Sequence, residues 1–79
     1  MKLTTAVSKR IKDLCKERNI TQYELFKRTG VPQSTISTII KGNISTVKLS
    51  TIYDICSGLN IEISEFFDSE IFKLSKLDD

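Results

Sequence analysis

The side chains of this sequence that can do chemistry are mostly hydrogen-bonding groups, with little suited to making or breaking bonds. There is no His, and the two cysteines, Cys15 and Cys56, stand 41 positions apart with no C-x-x-C pair. A structural zinc site therefore lacks a ligand set. No Gly-rich phosphate loop occurs and nothing gathers the acids and hydroxyls into a pocket, so neither an enzyme nor a bound cofactor is expected. What stands out is a run of short polar residues, Gln33, Ser34, Thr35, Ser37 and Thr38, followed by Lys41. Amides and hydroxyls donate and accept hydrogen bonds, which is the chemistry of recognition. The charges are divided along the chain. Residues 1–48 hold ten Lys/Arg against three Asp/Glu, a net of +7, and residues 49–79 carry a net of −5. The overall +2 conceals a front half that attracts a polyanion and a back half that repels one.

The apolar residues tell which elements position these groups. Val7, Ile11, Leu14 and Cys15 recur at helical spacing and predict a first helix over about 5–18. Thr4 or Thr5 caps it, and Asn19 ends it in a left-handed conformation. Thr21 and Glu24 form a T-x-x-E capping box that opens a second helix over 22–29. Leu25 and Phe26 face inward there, and Gly30 stops the helix because it takes up a left-handed turn cheaply. Val31-Pro32 leads into a third helix over about 33–41, with Ile36, Ile39 and Ile40 on its apolar side and Gly42 after it. Residues 43–48 read as a loop. Leu49, Ile52, Ile55, Cys56 and Leu59 build a fourth helix ended by Gly58, and residues 61–67 make a short fifth. In the tail, Ile71, Phe72, Leu74 and Leu77 allow a sixth short helix.

Strand signals are weak and no repeats occur, so the fold class is all-α. The chain reads as one domain, 1–79, with a core over about 5–68 and a C-terminal segment at 69–79. Composition is that of an ordinary globular protein, at 39% apolar and 28% charged. No apolar run approaches a membrane span, and the apolar stretch at the start is too short for a signal peptide. Both cysteines fall on apolar helix faces as small core residues, which suits a reducing cytosol, and a cytoplasmic protein is expected.

Two short helices joined by a tight, Gly-containing turn cross at a steep angle. The second then stands proud of the bundle with one face free. Such a helix fits the major groove of duplex DNA with its N-terminal side chains at the base edges.

The stretch TQYELFKRTGVPQSTISTIIKG resembles the helix-turn-helix of the lambda-repressor-like, Cro-type XRE family. The matching residues are Thr21-Gln22, Leu25, Gly30, Ile36, Ile39 and Gly42, and the likeness continues through LSTIYDICSGLNI into ISEFF. The resemblance implies a five-helix fold and roles for single residues. Gln33, Ser34, Ser37 and Thr38 fall where the family reads bases. A Gln amide matches adenine N7 and N6, hydroxyls bond either way, and the Thr38 methyl suits a thymine methyl. Gln22 falls where the family holds a phosphate, beside the N–H groups and dipole of a helix start. Lys41, Asn43 and Thr46 lie around the end of the third helix as further phosphate contacts. Three departures stand out. Phe26 replaces a usually small residue near the helix crossing, and Pro32 and Lys48 replace capping Ser or Thr. The third helix also has no Arg to read guanine.

These features together imply a transcriptional regulator of bacterial or phage type that binds double-stranded DNA. A symmetric homodimer on a pseudopalindromic operator is expected, because one small module has little interface for specificity. Phe67, Ile71, Phe72 and Leu74 are the candidate dimer contacts, with Leu77 beside them; completing a small core is their other reading. The alternative function is a protein-interaction module, an antitoxin or adaptor, docking through the apolar and acidic C-terminal segment. No small-molecule site is evident.

Overall fold

A computed structural model describes all residues, 1–79. It contains five α-helices: α1 Leu3–Glu17, α2 Gln22–Thr29, α3 Gln33–Ile40, α4 Leu49–Leu59 and α5 Ile63–Phe66. Two 3₁₀ turns follow, Glu70–Phe72 and Leu74–Lys76, where the sequence allowed a sixth helix. There are no strands.

Local chemistry explains most of the boundaries. The Thr21–Glu24 capping box forms in both directions: the Glu24 N–H donates to Thr21 Oγ1, and the Thr21 N–H donates to Glu24 Oε1, each at 3.1 Å. Gly30 ends α2 at φ +75°. Asn19 ends α1 at φ +54°, the left-handed role expected of it. Pro32 and Lys48 sit at the N-caps of α3 and α4 without side-chain caps, and both helices still begin where the apolar spacing puts them.

Fourteen buried apolar residues from Val7 to Phe66 form one core to which α1–α5 all contribute. Arg10 ties the ends of that core together. Its Nε donates to the Phe66 carbonyl at 2.7 Å and a terminal nitrogen donates to the Glu65 carbonyl at 2.9 Å. The Phe66 carbonyl ends α5 without a backbone partner, and the guanidinium supplies one, while the Glu65 carbonyl accepts from Arg10 as well as from the Asp68 N–H. Phe67 packs edge to face on both Phe66 and Phe72, its ring centred 4.9 Å from each. Phe67 and Phe72 are half-buried against the core in this way. Burial pushes the thiols of Cys15 and Cys56 up from their ordinary range, with Arg18 pulling slightly the other way at Cys15 and Glu65 adding to the shift at Cys56. Neither thiol is a ready nucleophile at neutral pH.

Several sequence expectations need correction. Neither Thr4 nor Thr5 caps α1. The helix starts earlier, at Leu3, and the Leu3 N–H donates to Asp79 Oδ1 at 2.6 Å, so the cap comes from the far end of the chain. Leu49 is 80% exposed and is not a core residue of α4. Gly58 does not end α4. It lies inside the helix, and Asn60 makes the left-handed exit at φ +57°. The reason for Gly58 is a close approach. A Cβ at that position would lie 2.5 Å from the Thr29 methyl and 3.0 Å from the Arg28 carbonyl oxygen.

Gly58→Ala therefore sets helix propensity against packing. Ala gains about 1 kcal/mol of propensity, whereas overpacking against a fixed backbone costs about 1–3 kcal/mol. The expected result of denaturant unfolding is a net loss of stability, with α2 pushed away from α4. A more stable variant would show that the two helices separate freely.

Candidate nucleic-acid interface

The segment joining α2 to α3 is held by one side chain. Thr29 Oγ1 donates to the Leu25 carbonyl at 2.7 Å and accepts from the Val31 N–H at 3.1 Å. The hydroxyl thus bonds back into α2 and forward across the turn. Val31 is buried, so its N–H has no alternative partner in water. On the same residue, the methyl lies against Gly58 of α4. Thr29 accordingly fixes α2, the turn and the approach of α4 at once. Ile36 and Ile39 bury the inner side of α3.

The outer side of α3 carries the residues singled out in the sequence. Gln33, Ser34 and Thr38 are exposed, and Ser37 is half-buried. Thr38 Oγ1 donates to the Ser34 carbonyl at 2.8 Å. Its proton is engaged within the helix, which leaves oxygen lone pairs and the methyl facing outward. A groove of about 580 Å³ runs alongside, with Ser34 and Thr38 on one wall and Thr46, Lys48 and Ser50 on the other. Ser34, Thr38 and Thr46 therefore share one surface, and Gln33 and Lys41 lie at opposite ends of α3. Lys41 and Asn43 are exposed just after the helix, where the Asn43 N–H donates to the Thr38 carbonyl at 3.2 Å.

Gln22 is exposed at the start of α2. The capping box occupies the N–H of Glu24, and the Thr21 carbonyl takes the N–H of Leu25. The N–H groups of Gln22 and Tyr23 have no partner in the chain. Phe26 is half-buried with its ring against the core, and Tyr23 sits beside it at 6.1 Å between ring centroids. The ring that replaces a small residue is thus taken up at the edge of the core.

A model of the Cro/C1-type helix-turn-helix DNA-binding domain matches residues 10–70. The chain belongs to the Cro/C1-type helix-turn-helix family. The crystal structure of the prophage Lp1 protein 11 superimposes with a TM-score of 0.79 at 27% identity, over 92% of this chain and 97% of that one. No curated protein matches the sequence. In this Cro/C1-type domain α2 and α3 are the helix-turn-helix, as the sequence implied. No helix is long and apolar enough to cross a membrane.

The candidate dimer residues divide. Phe67 and Phe72 are half-buried in the aromatic cluster, Ile71 is half-buried, and Leu74 is 87% exposed. Sequence reasoning missed Thr29, whose signal was its place just before the Gly-containing turn.

Thr29→Val separates the two roles of that side chain. It keeps the carbon that touches Gly58 and removes the hydroxyl, leaving the buried Val31 N–H unpaired. A loss of about 1–3 kcal/mol is expected from equilibrium unfolding. A change near zero would show that the turn does not depend on the hydroxyl.

Proposed function

We propose that this Cro/C1-type domain is a transcriptional regulator that binds double-stranded DNA in a sequence-specific manner, with α3 in the major groove. The observation that carries the reading is the outer face of α3, where Gln33, Ser34 and Thr38 are exposed on a helix whose inner side is buried. Gln33 offers paired donor and acceptor to adenine. Ser34 bonds either way. Thr38 offers lone pairs to an exocyclic amine and a methyl to thymine. Ser37 is the more recessed fourth member. Gln22 on one side, and Lys41, Asn43 and Thr46 on the other, hold the flanking phosphates and fix the register.

The regulator acts as a homodimer on a pseudopalindrome, since a face this short supplies little discrimination alone. Within the C-terminal segment, Leu74 is the freest apolar contact for a second copy, with Ile71 beside it, while Phe67 and Phe72 contribute only their exposed edges.

Selection from random duplexes, paired with a sizing measurement of the bound species, tests this. An A/T-leaning pseudopalindrome bound by two chains is expected. Gln33→Ala should cost about 1–3 kcal/mol at one base position and relax the preference there. Equal weakening on all sequences would overturn the assignment of Gln33 as a base reader.

A further inference from the structure

We propose that Tyr23 and Lys27, on the flank of α2, form a backbone clamp for DNA that is separate from the Gln22 contact. The inference rests on the reading of α3 as the helix that enters the groove. Three features of the flank carry it. Tyr23 is 56% exposed although it is a large aromatic residue, which leaves its ring and hydroxyl open to a partner. The ring is not loose, because it stands against the half-buried Phe26 at 6.1 Å and 51°. Lys27, one turn further along, places Nζ 5.8 Å from the centre of the same ring.

The electrostatics point to an anion. Lys27 pairs with no carboxylate, unlike Lys9, which lies 3.7 Å from Asp13, and Lys73, which lies 2.9 Å from Glu70. The acid nearest to it in sequence, Glu24, turns back to the Thr21 N–H in the capping box. The ammonium is therefore held by a ring face and left uncompensated, an arrangement worth only about 0.5–1 kcal/mol at an exposed site. Folding gains little from it. A phosphodiester next to the ring gains a hydroxyl donor and a full positive charge on a pre-ordered platform. The exposed Tyr23 ring also adds apolar contact to sugar carbons.

This clamp supplies a charge that α3 lacks, since Gln33–Ile40 contains no Lys or Arg. Its contribution is independent of sequence. Phosphate contacts position the protein, and each neutralised phosphate adds about 0.9 to the slope of log K against log salt.

The test uses the full chain, its selected duplex and a scrambled duplex, titrated over a range of salt. Lys27→Gln should lower the magnitude of the salt slope by about one and weaken both duplexes by a similar factor. Lys27→Arg should keep the slope. Tyr23→Phe keeps the ring and removes the hydroxyl, and should weaken both duplexes by about three- to tenfold, the size of one hydrogen bond. Unfolding midpoints of all three variants should stay close to that of the wild type, so a loss of affinity cannot be a loss of fold. Unchanged slope and affinity in Lys27→Gln and Tyr23→Phe would overturn the clamp. Loss confined to one base position would overturn it as well, making Tyr23 a base reader. Wild-type protein that binds neither duplex would overturn the DNA reading and the clamp with it, whereas wild-type binding with unaltered variants removes only the clamp.

Discussion

The placement of α3 depends on the point where Thr29, Gly30 and Gly58 meet. The Thr29 hydroxyl bonds on both sides of the turn, Gly30 takes the left-handed conformation the turn requires, and Gly58 lets α4 come against the Thr29 methyl. The three act on one another. A larger residue at 58 displaces Thr29, and a displaced Thr29 withdraws its oxygen from the buried Val31 N–H. The angle at which α3 leaves the bundle is thereby coupled to the packing of α4. The proposed reading role of α3 needs this kind of support, because a small tilt at its start moves Gln33 and Ser34 together.

Charge is used in two different ways in the front half. Some of it is structural. Arg10 is spent on the carbonyls of Glu65 and Phe66, and Lys9 is partnered by Asp13. The net of +7 over residues 1–48 therefore overstates the charge available to a polyanion. What remains free includes Lys27 and Lys41, on α2 and just beyond α3. The acidic tail is also partly structural, since Asp79 caps α1 and Asp78 lies 3.6 Å from the amino group of Met1. An acid at the start of a helix offsets its free N–H groups, so the tail is drawn to α1 by the same field that would draw a phosphate.

Much of this was legible in the sequence, and the failures share a cause. The capping box, the left-handed Asn19 and Gly30, and the bounds of α2 are local signals, and each is found as read. The burial of Ile36 and Ile39 follows from spacing alone. The misreadings at Gly58, Leu49 and the cap of α1 all concern residues whose role is set by a distant segment. A Gly near the end of a helix reads as a stop, and only the approach of Thr29 from another helix reveals it as clearance. Leu49 fits the apolar spacing of α4 and still points away, because no element covers that side of its first turn. Asp79 caps a helix 76 positions away, which no local pattern contains. The likeness to a Cro/C1-type domain placed the helix-turn-helix at α2 and α3, but Phe26 required the structure, since its ring is accommodated at the core edge by lying against Tyr23.

The face of α3 proposed as the reading head offers only weak contacts. Gln33 and Ser34 make flexible polar contacts, and Thr38 has its proton committed to the Ser34 carbonyl. Breaking that bond to donate elsewhere exchanges one hydrogen bond for another and gains little. Thr38 is better suited to accept, or to present its methyl, and both choices favour bases that offer an amine or a methyl in the major groove. Without an Arg on α3, no bidentate contact to guanine adds to this. In the proposed complex, affinity then comes from the backbone on either side of α3 and from pairing of two such heads. Phosphate contacts strengthen all sequences alike, so they raise affinity without raising discrimination. Two weak heads held at a fixed spacing multiply their discrimination, because a duplex that satisfies one and not the other loses half of the base contacts. In the proposed dimer, the economy of α3 and the pairing of two copies are two sides of one physical constraint.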